Sequence, residues 1–519
     1  MKRSRCWCRR VALALSVLLV FAVPSARATW SIIVYNSRTG EIGVASATCL
    51  QGFDLKRALP VVLVGVGAAC AQSAIDSGAF NRRIIREELL LGTPPETILE
   101  ILEGRDFQHQ SRQYGILDSQ NRTSTFTGSN AGAFAGGLIG HHGDLHYAIQ
   151  GNVITGRPVI EKAEELLIST PGDIPEKLLA AMEAARSMGG DGRCSCDGRP
   201  DSCGSPPADF VKSADVAFAI VARLGDIDGF CSQQGCARGT YFMDLNVPGQ
   251  QSSDPDPVIQ LHKLFAEWRQ SWVGRPDHVM SVGESMPHSI PADGRAMSTL
   301  DIRLVDWRGK PLTKGGATVT VTHAEESAGS SMIGAVSDHG DGTYSVPLMA
   351  GDVAGIDVFD VRIDDGRGLP AQIAPKPTLE LFSPSSGGAH RALLRIDRDH
   401  VSLSEGGELV FELEAGHQQA GRPYILLGSF AGTQPGVRLG RARLPLNPDA
   451  VLAWTLLRGG SHIFPGGRGT LDENGEAAAR LRLPATTRSP WIDAQISFAF
   501  IVGAPFDLAS KPVPVRVTD

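Results

Sequence analysis

Two apolar stretches, TWSIIVYN (29–36) and EIGVASAT (41–48), are joined by the turn SRTG, with Gly40 closing it. This is a hairpin signature, and it opens a region in which hairpins and paired helices take turns. PVVLVGVGAACAQS (60–73) reads as a third, buried strand, too β-branched and glycine-rich for a helix. AFNRRIIREELLLG (79–92) and PPETILEILEG (94–104) follow as two helices, each running to a glycine. RQYGILD, SQNR and TSTFTG then spell a second hairpin, and DLHYAIQG (144–151) another strand. Two further helices, RPVIEKAEELLIST (157–170) and DIPEKLLAAMEAARSM (173–188), precede the apolar strand in SADVAFAIVARLG (213–225). Helices that arrive in pairs between antiparallel strands point to stacked sheets covered by helices and away from a doubly wound parallel sheet. Neither a G-x-G-x-x-G after the first strand nor a phosphate-binding loop is present.

DPDPVIQLHKLFAEWRQSWVG (254–274) predicts one more amphipathic helix, with Val258, Leu261, Leu264, Phe265 and Trp268 on one stripe. Residues 29–275 are thus read as one mixed domain, and the polar, proline-broken stretch 276–291 as a linker. Beyond Ala292 short alternating strands separated by Gly, Asp and Pro turns predict a β-sandwich of immunoglobulin type over 292–380. The strand DGTYSVPL, preceded by SDHG, resembles the Ig-like repeats of filamins and bacterial invasin-type surface proteins. A second β-sandwich is expected over 388–519.

Residues 1–28 have the layout of an export signal, which reads as residues 1–28 removed from the mature protein. Lys2, Arg3, Arg5, Arg9 and Arg10 precede an apolar run from Val11 to Val23, and Ala26-Arg27-Ala28 supplies an A-x-A site. Cleavage after Ala28 predicts a secreted or periplasmic protein without a later spanning segment. It removes six of the 49 basic residues and no acidic one, leaving 43 against 56 and a formal net charge of −13. An acidic chain with no basic tract is a poor partner for nucleic acid or anionic membranes.

Seven cysteines survive the cut. Cys194, Cys196, Cys203, Cys231 and Cys236 cluster around a cysteine-rich insert at about 192–210, whereas Cys49 and Cys70 stand apart. In an oxidising compartment disulfides are the expected use, and the odd count leaves one thiol over. His141, His142 and His146 lie close in sequence, but HHGDLH is glycine-broken and runs into a strand, so no metal site and no cofactor is expected.

Cleavage after Ala28 has a chemical consequence. Thr29 would begin the mature chain with its hydroxyl two carbons from a free α-amine, whose pKa of about 7.7–8.0 leaves it partly neutral near pH 7. Such an amine is a built-in base for the hydroxyl, acting through one water. Position alone does not assign catalysis, since Thr, Ser and Ala are common after signal cleavage.

The blocks TWSIIVYNSRTGEIGVASAT, LPVVLVGVGAACAQS, RQYGILDSQNRTSTFTG, YAIQGNVITG, KLLAAMEAARSMGGD and SADVAFAIVAR resemble, in that order, the domain of unknown function 1028 family of the N-terminal nucleophile (Ntn) hydrolase superfamily. The resemblance covers roughly residues 29–247 and implies a four-layer αββα sandwich. It also implies hydrolysis of a peptide or acyl-amide bond by an N-terminal Thr, Ser or Cys, here Thr29. It makes Ser46 the expected partner of the amine at the end of the second strand, with Lys56 in the next loop as a candidate for the superfamily's lysine. Asn152, in QGN, is the candidate oxyanion donor, and Asp191, in GGD, matches a further block just before the cysteine-rich insert. The competing expectation is a non-catalytic surface protein on a retired fold, its sandwiches touching polysaccharide or the cell surface.

Overall fold

The computed structural model describes residues 29–197, 199–382, 392–398, 400–402, 404, 406–433, 435–440, 442–485, 495–503 and 505–518. The proposed export signal, 1–28, lies outside them. The chain divides into two compact units, 1–383 and 384–519.

The first unit opens with β1 (Thr29–Asn36), β2 (Ile42–Thr48), the short α1 (Leu55–Ala58), β3 (Pro60–Leu63) and β4 (Gly67–Ser73). There follow α2 (Phe80–Leu90), α3 (Pro95–Arg105), β5 (Arg112–Asp118), β6 (Thr123–Thr127), β7 (Ala135–His142) and β8 (Leu145–Asn152). After them come α4 (Pro158–Ser169), α5 (Ile174–Ser187), the short α6 (Gly192–Ser195), β9 (Val216–Ala222), β10 (Met243–Val247) and α7 (Pro257–Ser271). Two sheets result, one of six strands in the order β10-β9-β2-β1-β8-β7 and one of four in the order β3-β4-β5-β6.

The two-residue period of a strand explains how these sheets are covered. On β1, Trp30, Ile32 and Val34 pack with Leu178 and Met182 of α5 and Leu261 of α7. The alternate residues Ile33 and Tyr35 join Ala68, Cys70 and Leu117 between the two sheets. The far face of the smaller sheet, with Val61, Ala69 and Ile116, meets Ile85 and Leu89 of α2 and Ile98 and Leu102 of α3. Strands buried on both faces read as continuous apolar runs, which is why β1, β2 and β9 show almost no polar alternation.

Two expectations are corrected. The stretch 60–73 is a hairpin and not one strand, because Gly65 takes φ +68° and turns the chain. A Cβ on Gly67 would stand 2.5 Å from the Leu117 carbonyl, so this glycine serves close strand packing. The stretch 276–291 is not a free linker: Val282–Met286 and Ser289–Pro291 are strands of the sandwich that follows. In that sandwich one sheet is built on Met297–Arg303 and Thr343–Met349, the other on Gly355–Asp364, Thr318–His323 and Thr378–Phe382. Leu300, Ile302, Tyr344, Phe359, Val361 and Leu379 fill its core.

Arg223, just beyond β9, ties the mixed region to the start of this sandwich. Its Nε stands 2.9 Å from Glu41 Oε1 and its Nη1 2.9 Å from Asp277 Oδ2, with all three side chains buried. Its guanidinium carbon sits 3.3 Å from the centre of the Phe242 ring. Beside it, Asp226 Oδ2 accepts the N–H groups of Arg223 and Phe242, both at 2.8 Å. Burial outweighs these bonds and pushes the Asp226 carboxyl up to about 6. A folded value above the ordinary Asp value of about 3.9 stabilises below that pH and loses its contribution as pH rises through the folded value. The urea midpoint should therefore carry a decline from this group between about pH 4 and pH 6. Asp226→Asn should flatten that part of the profile; an unchanged slope would count against this environment for Asp226.

Among its described residues the second unit is all-β apart from one helix, Ala450–Arg458, and a single short 3₁₀ turn. A sheet built on Gly407–Glu414 and Glu476–Leu483 and another built on Pro423–Ser429, Gln495–Val502 and Val513–Thr518 enclose Phe411, Phe464, Phe498 and Phe500. No described helix in the chain is long and apolar enough to cross a membrane.

Candidate active site

The ends of three adjacent strands converge at Thr29. It begins β1, pairs in register with Asn152 at the end of β8, and its Oγ1 donates to Thr48 Oγ1 at the end of β2, 3.3 Å away. Its carbonyl is held from below by Gln72 Nε2 at 3.0 Å. Gln72 belongs to a buried polar network between the sheets, in which it accepts from Ser31 Oγ at 2.6 Å and donates to Gln113 Oε1 at 2.7 Å. Gln150 Nε2 donates to the same Ser31 Oγ at 2.6 Å. These buried hydrogen bonds fix the start of β1 more firmly than apolar packing alone, although Gln150 Oε1 has no partner among the described residues.

Thr48 connects Thr29 to charge. Arg193 Nη2 donates to Thr48 Oγ1 at 3.3 Å and to Asp191 Oδ2 at 2.8 Å, with Arg193 Nε 3.2 Å from Asp191 Oδ1. Asp191 is fully buried, caps α6 through the Arg193 N–H, and accepts the Cys49 N–H at 2.6 Å. Burial pushes its carboxyl up, against the pull of the Arg193 guanidinium and these N–H groups. The result is a line of polar groups, Thr29, Thr48, Arg193 and Asp191.

The residues singled out from sequence fall on both sides of this line. Asp191 joins it and Asn152 flanks Thr29, with Asn152 Nδ2 donating to the Ala131 carbonyl at 3.1 Å. Ser46 stands two residues before the strand end, opposite Ser31, and its Oγ donates to the Trp30 carbonyl at 2.6 Å. The last residue of β2 is Thr48, whose Oγ1 meets the Thr29 hydroxyl. Lys56 pairs with Asp244 on β10, away from Thr29. His141 and His146 are cross-strand partners with stacked rings 6.0 Å apart on β7 and β8. Val153, directly after Asn152, takes φ +53°, and Ser73, directly after Gln72, takes φ +72°. A β-branched residue in that region is strained by about 1–3 kcal/mol, and such strain gathers at functional sites.

Among the described residues three disulfides form: Cys49–Cys194, Cys196–Cys203 and Cys231–Cys236. Cys70 is the thiol left over, buried between the sheets, and burial pushes it up to about 12, so it stays protonated and unreactive. Cys49–Cys194 spans 145 residues and ties the residue after Thr48 to the residue after Arg193. Its loss through Cys49→Ser with Cys194→Ser should lower stability by about 2–4 kcal/mol. Denaturant unfolding measures this, and a change below about 0.5 kcal/mol would contradict a constraining role.

Residues 29–198 match the model of a family of unknown function (DUF1028). Residues 277–374 match invasin, domain 3. No curated protein matches the chain. Among solved structures, protein SPO2555 from Silicibacter pomeroyi, which carries the same DUF1028 family model, is 19% identical over 46% of this chain and 88% of its own, with a TM-score of 0.33. The Yersinia pseudotuberculosis adhesin InvE is 15% identical over 47% of this chain and 60% of its own, with a TM-score of 0.18. The Escherichia coli adhesin FdeC is 11% identical over 94% and 97%, again with a TM-score of 0.18. The chain joins a mixed α/β region whose residues 29–198 carry the DUF1028 pattern to all-β sheets that begin with an invasin domain 3 pattern at 277–374.

Proposed function

We propose that the protein is an exported amide-bond hydrolase of the N-terminal nucleophile type, with Thr29 as nucleophile. The observation that carries this reading is the coincidence of an A-x-A cleavage site with a threonine seated at the converging ends of β1, β2 and β8. In the uncut chain the Thr29 nitrogen is a peptide nitrogen, so the base exists only after cleavage. Two sheets stacked face to face, each with helices on its outer side, support the four-layer Ntn arrangement, and three disulfides support export.

In this reading the freed amine takes the Oγ1 proton through one water as Oγ1 attacks the amide carbonyl. The tetrahedral oxyanion is met by hydrogen-bond donors beside Thr29, with the Asn152 amide as the candidate; one such donor typically contributes about 3 kcal/mol. Collapse expels the amine product, which receives the proton from the N-terminal ammonium, and leaves an ester on Thr29. Water, deprotonated by the same amine, then hydrolyses the ester. Arg193, its charge balanced by Asp191, fixes the Thr48 hydroxyl and through it the nucleophile.

The invasin domain 3 match favours a second reading, in which the sandwiches hold a cell surface or polysaccharide and the first region is catalytically silent. A β-lactone probe that reacts with N-terminal hydroxyls separates the two. Covalent labelling mapped to Thr29 is expected; absence of labelling together with tight glycan binding would favour the second reading.

A further inference from the structure

We propose that β7 is a self-pairing edge, through which two copies of the chain join their six-stranded sheets into one continuous sheet across a two-fold axis. The inference is independent of the hydrolase reading. It follows from the parity of the hydrogen-bond ladder. Asn36 N donates to Glu41 O at 2.9 Å at the β1–β2 turn, so with the observed register the even-numbered residues of β1 bond β2 and the odd-numbered ones bond β8. Ser31 meets Gln150 and Ile33 meets Ala148, which leaves the odd-numbered residues of β8 to bond the even-numbered residues of β7. The N–H and C=O groups of Gly137, Ile139 and His141 therefore point away from the sheet. Among the described residues none of these six groups has a partner, and all three residues are exposed, Ile139 by 49%.

Edges left in this state are normally blunted by charge, proline, a bulge or a cover. The opposite edge of the same sheet, β10, is short and carries Asp244 in an ion pair with Lys56. The sequence of β7, AGGLIGHH, contains no Asp, Glu, Lys, Arg or Pro over its eight residues. In an acidic chain, of formal net charge −13 once residues 1–28 are removed, an edge without Asp or Glu lets a second copy pair without like charges directly opposite. An antiparallel two-fold centred on Ile139 sets Ile139 opposite Ile139 of the second copy and Gly137 opposite its His141. All six outward groups of each strand are then paired, the two isoleucine side chains cover one another, and each imidazole faces a glycine. The arrangement is isologous and closes after two copies.

Sedimentation velocity on the exported, full-length protein tests this. A dimer is expected that dissociates on dilution, and Ile139→Lys should turn it into a monomer whose melting temperature matches that of the diluted wild type. Ile139→Cys should cross-link two chains on mild oxidation, because directly paired residues lie about 5.5 Å apart at Cα, within disulfide range. His141→Cys should not, since the two copies of that residue would lie roughly 14 Å apart at about 3.4 Å per residue along the strand. A monomer at every concentration, a dimer that survives Ile139→Lys, or cross-linking through His141→Cys and not Ile139→Cys would each overturn the proposal.

Discussion

Thr29→Ala, in protein still cut after Ala28, is expected to abolish hydrolysis of any acyl-amide substrate found by library screening, while Thr29→Ser retains measurable turnover. Removing the nucleophile of a serine hydrolase costs on the order of 10⁶ in kcat, and no other group at this site offers a replacement. Thr48 carries the nearest hydroxyl, 3.3 Å away, but it lies at the end of β2 and has no adjacent amine. Cys70 is buried between the sheets and held as a thiol. The alanine should leave folding intact, because the Gln72 bond goes to the Thr29 carbonyl and not to its side chain. Turnover of Thr29→Ala at the wild-type rate would remove Thr29 from the chemistry. Loss of activity in Thr29→Ala with matching loss of thermal stability would assign it a structural part instead.

Arg223→Leu should be the most destabilising single substitution among those argued from the structure. It leaves Glu41 and Asp277, 2% and 3% exposed, as buried carboxylates without their cation. Breaking a buried pair in this way costs about 3–5 kcal/mol, much of it the penalty of the unpaired charge. Asp277 adds a pH signature. Burial raises its carboxyl, but the Arg223 charge and the hydrogen bonds it accepts dominate and hold it at about 2. A depressed folded value stabilises above the ordinary Asp value of about 3.9 and is lost as pH falls toward the folded value. Arg223→Leu should therefore lose stability most at neutral pH and approach the wild type near pH 2–3. Adding Glu41→Gln to Arg223→Leu removes one stranded charge and should recover part of the loss. Chemical denaturation at several pH values reads all three effects, and a cost below about 1 kcal/mol at neutral pH would contradict them.

Much of the architecture is legible in local pattern. The β1–β2 hairpin, the paired helices 80–90 with 95–105 and 158–169 with 174–187, and the stripe of α7 all follow from period and turn chemistry. What escapes is decided by contacts distant in sequence. Val64-Gly65-Val66 looks like strand because its turn residue lies between two β-branched ones. The edge strand AGGLIGHH is too glycine-rich to announce itself and is specified by pairing with β8. The proline-broken stretch 276–291 reads as a linker, yet parts of it pair with strands 297–303 and 378–382. At the candidate site, Thr29, Asn152 and Asp191 are singled out by resemblance, whereas the neighbouring Thr48 and Arg193 are not. Thr48 ends β2, as the strand read over 41–48 already implies, while Ser46, two residues earlier, bonds the Trp30 carbonyl. Arg193 enters from a cysteine-rich insert that the Cys49–Cys194 bond, 145 residues in span, carries to the end of β2. No local spacing encodes such a bond.

The central claim is that the cut which exports the protein also exposes its nucleophile. Sequencing the N-terminus of the exported protein tests it most directly. A chain that begins Thr29-Trp30-Ser31 with a free amine is the expected result. A chain that begins at any other residue has no amine beside the Thr29 hydroxyl and contradicts the account.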